Sequence, residues 1–343
     1  MKVLAIVLAV LLTIGGWIVR PHRPGLEESR TGDASLQRFI DDQYDEPGHR
    51  LSIAVVTANT IRYAGRGAGE GDVFEVGSIS KALTGLLLAD AVKRGEVTLD
   101  QQVGTLLPLG DSEVASATLE ELATHTSGLP NISRQPTVMI GTFFTNLRAA
   151  NPYKFTVDDL LSQARAASTK GRGTTTYSNL GGALLGQALA RKAGKSYQDL
   201  VQERVFTPYG MSTARVATGR ADAAPPGYSS GGRRQSPWIQ DGYAPAGGVV
   251  ASAEDLAHLA QKLLAGAGIE ALSPRRDYKE YRIGLFWITE KLPDRSIVWH
   301  DGGTGGYASF IGLDLERKRA VVMLSDVQAS VDDVAIDLLK GDQ

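Results

Sequence analysis

Apolar positions recur along this chain with two periods, and the change from one to the other divides it. Leu36, Phe39 and Ile40 stand at helical spacing within residues 35–45. Leu256, Leu259, Ala260, Leu263 and Leu264 fall at i, i+3, i+4, i+7 and i+8 behind Ser252, which predicts a capped helix with one apolar face over 253–265. Helices are also predicted over 79–94, closed by Gly95, and over 157–166, 180–193 and 331–340. Thr118-x-x-Glu121 has the form of a capping box and opens a short helix that ends before Ser127-Gly128. Two short apolar runs, 51–56 and 61–63, flank Ala58-Asn59-Thr60 and predict a β-hairpin. The last quarter changes character: 281–290, 296–300, 308–315 and 320–325 are strand-like, with turns at Pro293-Asp294 and 316–319. Helical sequence between two sets of strands predicts an α+β fold. Its antiparallel sheet is built from both chain ends, with flanking helices and a mainly helical lobe beside it.

The first residues stand apart. Lys2 precedes Val3 to Val19, 17 residues without a charge, and Arg20-Pro21-His22-Arg23-Pro24 follows. As a helix this run would reach about 26 Å, just short of a hydrocarbon core of about 30 Å. Residues 1–19 read as a targeting segment, either an N-terminal membrane anchor or a cleaved signal peptide. Gly15 and Gly16 are the only small residues at its end and form no A-x-A pattern, which favours the anchor. Either reading places the protein outside the cytoplasm, held to a membrane through residues 3–19 or secreted if they are removed. Residues 20–34 read as a linker, with Pro21, Pro24, Gly25 and Gly32 among charges, and residues 35–343 as one working domain.

Composition narrows the chemistry. The 343 residues carry 36 Lys and Arg against 38 Asp and Glu, and this near-balance argues against a nucleic-acid partner. There is no Cys, which excludes disulfides, a thiolate nucleophile and Cys-ligated metal sites. No H-E-x-x-H or similar ligand spacing occurs, so no metal and no other cofactor is expected. Some tempting motifs fail on context. Gly227-Tyr228-Ser229-Ser230-Gly231 matches a nucleophile elbow but lacks the flanking strand and helix, and reads as a loop. Gly194-Lys195-Ser196 reads as a helix C-terminus, and Gly303-x-Gly305-x-x-Ala308 runs into a strand where a dinucleotide fingerprint needs a helix.

What remains begins at Ser78-Ile79-Ser80-Lys81. Chance supplies roughly one S-x-x-K in a chain of this composition, so the setting has to carry the argument. Gly77 precedes it and Leu83, Leu86, Leu87 and Ala91 follow, placing Ser78 at the mouth of a buried helix and Lys81 one turn on. There a hydroxyl meets free backbone N–H groups and a dipole suited to a developing oxyanion. A Lys in an apolar wall is disfavoured as a cation and can act as a base. The plainer reading makes Ser78 a helix cap and Lys81 a solvated charge. Tyr177-Ser178-Asn179 lies in a loop before the Leu180 helix, and His300-Asp301-Gly302 at the end of a strand.

The order Ser78-x-x-Lys81, Tyr177-x-Asn179, His300-x-Gly302 resembles the class C β-lactamase and penicillin-binding serine hydrolases, as do the surrounding strings FEVGSISKALTG, LATHTSGLP, TTYSNLGGALLG, APAGGVVASAEDLA and HDGGTGGY. The resemblance runs from about residue 35 to 340. It implies a two-lobed fold with the site between sheet and helical lobe. Ser78 is then the acylated nucleophile, and Lys81 and Tyr177 share the proton transfers. Asn179 holds the substrate and the Lys, His300 and Gly302 support the substrate, and the N–H groups of Ser78 and Gly303 form the oxyanion hole. Which of Lys81 and Tyr177 takes the first proton stays open. His125 is expected to be a structural anchor of the turn before Ser127. Many β-lactamases of the family carry Lys-Thr-Gly at the third motif. His300-Asp301-Gly302 replaces that fixed positive charge with an imidazole and the hydroxyl with a carboxylate. This favours an esterase or D-amino-acid peptidase acting on a small-molecule or peptide ester or amide over a β-lactamase or DD-carboxypeptidase. A module that senses penicillin or peptidoglycan without turnover is the non-enzymatic alternative.

Overall fold

Both ends of the described chain, residues 23–341 of a computed structural model, meet in one sheet. The apolar run at 3–19, and the anchor or signal expected of it, lie outside these residues. Among the described residues no helix is long and apolar enough to cross a membrane.

The strands are β1 (Arg30–Gly32), β2 (Leu51–Thr57), β3 (Ile61–Arg66), β4 (Val73–Glu75), β5 (Arg215–Val216), β6 (Tyr228–Ser229), β7 (Val249–Ser252), β8 (Arg276–Tyr278), β9 (Tyr281–Ile283), β10 (Ile288–Lys291), β11 (Ser296–Gly303), β12 (Ala308–Asp314), β13 (Arg319–Ser325) and β14 (Val327–Gln328). The helices that matter below are α1 (Ala34–Gln43), α2 (Ile79–Lys93), α3 (Leu119–Ala123), α4 (Pro136–Leu147), α5 (Val157–Arg165), α6 (Asn179–Ala193), α7 (Ala244–Gly247), α8 (Ala253–Leu264) and α9 (Asp332–Lys340). Nine strands pair in the order β1-β3-β2-β13-β12-β11-β10-β9-β8, each pair antiparallel. The N-terminal strands thus join the C-terminal ones through β2 and β13, the α+β arrangement expected from both chain ends.

Alternation along the central strands divides the core. On β2, Ile53 and Val55 join α1 and α9 on one face, while Ala54 and Val56 join the larger core of the helical lobe on the other. Val321 and Met323 of β13 repeat this against Val322 and Leu324, as a period of two requires when both faces are covered. The helix α2 is buried on nearly every side, from Ile79 to Ala91, because it runs between the sheet and the lobe and packs on α6 and α7. Capping boxes at Thr118 and Ser252 start α3 and α8 where the sequence places them, and Gly194, at φ 64°, ends α6.

Two expectations need correction, and one helix is new. Residues 20–34 do not remain a linker throughout, because Arg30–Gly32 pairs with β3 and Leu26 packs on the outer core. The single strand expected over 281–290 is broken into β9 and β10. Phe286, at φ 66°, turns inward between them and donates its N–H to Ala123 O at 2.9 Å. Finally, α4 was not expected at all.

Candidate active site

Ser78 precedes α2 with helical backbone angles, φ −68° and ψ −10°, and its side chain makes no capping bond. The hydroxyl faces other partners: Tyr177 Oη lies 2.5 Å from Ser78 Oγ, and Lys81 Nζ donates to the same oxygen at 3.0 Å. Lys81 is fully buried, against the reading of a solvated charge, and its other hydrogen bond is to Ala246 O at 2.7 Å. The stem needs room, and α6 provides it, since a Cβ at Gly182 would stand 3.3 Å from Lys81 Cγ. Both partners of the ammonium are neutral oxygens. Burial therefore pushes Lys81 down to about 7, with the more distant Asp301 carboxylate opposing. Burial acts oppositely on Tyr177, raising its phenol well above the ordinary value so that it keeps its proton, with the Ser78 contact opposing.

Tyr177 is placed by the turn that starts α6. Ser178 caps that helix by accepting from Gly181 N at 2.9 Å and donates to Pro130 O at 2.7 Å. Buried His125, at φ 58°, anchors the segment leading in: its carbonyl accepts from Thr176 N at 2.7 Å and its Nδ1 from Ser178 N at 3.3 Å. Its ring packs 4.7 Å from that of Tyr177. Asn179 departs from expectation, because its Nδ2 donates to Tyr153 Oη at 2.8 Å while the bonds of Lys81 go to Ser78 and Ala246.

The end of β11 closes the site from the sheet. A Cβ at Gly77, which has φ 49°, would come 2.7 Å from Gly303 N, and one at Gly302 would come 2.1 Å from Val76 O. Glycine at both positions is what lets β11 lie against the segment before α2. His300 and Gly302, like Lys81 and Tyr177, stand just behind the residues that line the cleft. The His300 ring is buried, its Nδ1–H donates to the Asp301 carbonyl at 2.6 Å, and burial holds its pKa below the usual value against the pull of Asp301.

The cleft, of about 70 Å³, is walled by Ser78, Asn179, Gly303, Ala246 and Gly247 together with four side chains that no motif indicated: Tyr153, Trp238, Gln240 and Tyr243. No lysine or arginine stands among these lining residues. Gln240 is buried, yet neither Oε1 nor Nε2 has a hydrogen-bond partner. Behind the wall, Glu75 accepts from Trp238 N at 2.6 Å, and burial lifts its carboxyl to about 7 against that bond and one from Thr304. An acid between the buried Phe74 and Val76 was the signal that could have marked it. Among the described residues no group of three His, Cys, Asp or Glu is placed to hold a metal ion.

A family model described as Beta-lactamase matches residues 36–341. Penicillin-binding protein 4 of Amycolatopsis lactamdurans is 28% identical over 194 residues, which cover 54% of this chain and 44% of that protein. The chain thus spans less than half the length of that relative. The Beta-lactamase of Escherichia coli (strain K12) is 25% identical over 299 residues, 74% of this chain and 75% of the relative. A solved structure described as Beta-Lactamase/D-Alanine Carboxypeptidase from Pseudomonas syringae shares the fold with a TM-score of 0.77 at 19% identity, over 90% of this chain and 100% of that one.

Proposed function

Because this chain belongs to the β-lactamase family of serine hydrolases, we propose that it cleaves an uncharged ester or amide through an acyl group on Ser78. The contact that carries this reading is Lys81 Nζ at 3.0 Å from Ser78 Oγ. An amine that loses its proton near pH 7 can take the hydroxyl proton as Oγ attacks the carbonyl carbon. Tyr177, held as a phenol 2.5 Å from Oγ, passes a proton to the departing alcohol or amine and is reprotonated from Lys81. The N–H groups of Ser78 and Gly303 receive the oxyanion. Water then cleaves the acyl-serine and restores the hydroxyl. Asn179 orients the substrate, and His300 and Gly302 support the site from beneath.

The lining supports the substrate class. A free substrate carboxylate would meet no fixed cation on a wall of aromatic rings, amides and glycine, which favours esters and D-amino-acid amides over β-lactams and D-Ala-D-Ala peptides. The uncharged run at 3–19 supports a location outside the cytoplasm. The test presents a chromogenic short-chain ester, a D-amino-acid amide, nitrocefin and a D-Ala-D-Ala peptide to wild type and Ser78→Ala. The ester or the D-amino-acid amide should turn over fastest, and only in wild type. Equal slow rates in both proteins would end the proposal, and an adduct on Ser78 persisting for hours would mark a sensor instead.

Gln240 gives a separate expectation. Gln240 lines the cleft with both amide atoms buried and unpaired, and a small turn of its side chain brings them to an amide on the acyl portion of the substrate. Gln240→Leu should raise KM for such a substrate by about tenfold, the value of one hydrogen bond, with kcat nearly unchanged. The same change removes a buried unsatisfied amide, so Tm should rise. An unchanged KM would remove Gln240 from substrate binding.

A further inference from the structure

The helix α4 presents its apolar face to water. Met139, Ile140, Phe143, Phe144 and Leu147 are each between 50% and 59% exposed, and the one other exposed large hydrophobic among the described residues, Ile269, reaches only 39%. Their positions, i, i+1, i+4, i+5 and i+8, form one stripe along the helix, whereas Val138 alone on α4 is buried. An apolar patch of this kind on an otherwise well-buried molecule marks a contact surface.

Charge around the stripe identifies what it contacts. From Leu122 to Val157 the chain carries Arg134, Arg148 and Lys154 and no Asp or Glu, although the protein as a whole has a net charge of −2. Arg233 adds a guanidinium at the C-terminal end of the helix, donating to Leu147 O at 2.7 Å, with Arg234 next to it. At the other end Arg134 and Lys170 line one hollow. Protruding Phe, Ile, Met and Leu within a basic rim are the composition of a helix that lies in the headgroup region of an anionic bilayer. A second copy docked face to face would set the same basic rim against itself. We infer that α4 is a membrane-docking helix that inserts its apolar stripe into an anionic lipid surface.

The placement has a consequence for the cleft. The chain leaving α4 is tied to the cleft wall, since Ala149 O accepts from Ser236 N at 2.8 Å and Asn151 Nδ2 donates to Ile239 O at 2.6 Å. Tyr153, two residues on, lines the cleft itself. Docking through α4 brings the mouth of the site close to the lipid surface.

The absence of Cys allows a direct test in the full chain, where residues 3–19 would otherwise obscure simple vesicle binding. A polarity-sensitive fluorophore is attached to Phe143→Cys, or, as control, to Glu316→Cys at the exposed turn between β12 and β13. Each labelled protein is mixed with vesicles of equal parts phosphatidylglycerol and phosphatidylcholine. The label at 143 should shift to the blue and be quenched by brominated acyl chains, while the label at 316 stays in water. Adding Arg134→Gln and Arg148→Gln should weaken insertion at 143 by about fivefold for each residue. A label at 143 that remains in water with vesicles present would overturn the inference. So would a label already buried without vesicles in a concentration-dependent way, which would assign the face to a second copy.

Discussion

Lys81→Met is expected to slow acylation of Ser78 by roughly 10²–10⁴-fold, the usual range for loss of a positioned general base. Methionine keeps the unbranched stem beside Gly182 and α7 but cannot accept the hydroxyl proton. Stopped-flow acylation with a chromogenic ester reads the effect, and near-normal acylation would exclude Lys81 as the base. The wild-type pH profile gives the complementary result. The reactive form is the neutral amine, so kcat/KM should rise with pH through about 7, where Lys81 loses its proton. Glu75 also titrates near 7. Glu75→Gln, whose amide oxygen can still accept from Trp238 N, should therefore leave the rising limb in place. Loss of the limb in that variant would assign it to the carboxyl instead.

Stability should carry the same signature. Lys81 titrates near 10.5 when unfolded and near 7 when folded, so between those values the unfolded chain holds the additional proton. Stability then rises with pH across that window. Lys81→Met should lose this slope, which denaturant unfolding at a series of pH values would detect.

Much of the site was legible because its parts stand at element boundaries. Ser78 opens a helix behind Gly77, Tyr177 precedes a Ser-capped helix, and Gly302-Gly303 ends a strand, all of which local backbone chemistry marks in sequence. The wall of the cleft was not legible. Tyr153, Trp238 and Gln240 lie on irregular segments brought together by the Asn151–Ile239 and Ser236–Ala149 hydrogen bonds, contacts between distant residues with no periodic trace. Helix α4 escaped for another reason. Its stripe has helical spacing, but Gly141 and the β-branched Thr137, Thr142 and Thr145 lower its intrinsic propensity. No buried surface waits for the stripe, so the rule that apolar faces turn inward pointed away from it. The strand expected over 281–290 failed because Phe286 has to turn inward against α3, a demand of packing that alternation does not encode.

Gly302→Ala should be nearly as damaging as loss of a catalytic group, although residue 302 itself does not line the cleft. Its Cβ would lie 2.1 Å from Val76 O and 2.4 Å from Ser309 Oγ, and the first of these is backbone that cannot rotate away. The end of β11 would have to move off the segment leading into α2, carrying Gly303 N away from Ser78. An oxyanion donor displaced in this way costs about 10²–10³-fold in rate, and the overpacking itself costs about 1–3 kcal/mol of stability. Gly303→Ala supplies the contrast, because a Cβ there meets nothing closer than Tyr307 O at 4.0 Å. It should fold normally and lose only a few-fold in kcat/KM, even though residue 303 provides the proposed N–H donor. Measured together, kcat/KM and Tm of the two variants separate the spacing of β11 from the identity of the donor residue. Wild-type activity in Gly302→Ala would show that the close approach of β11 to Ser78 is not what assembles the site.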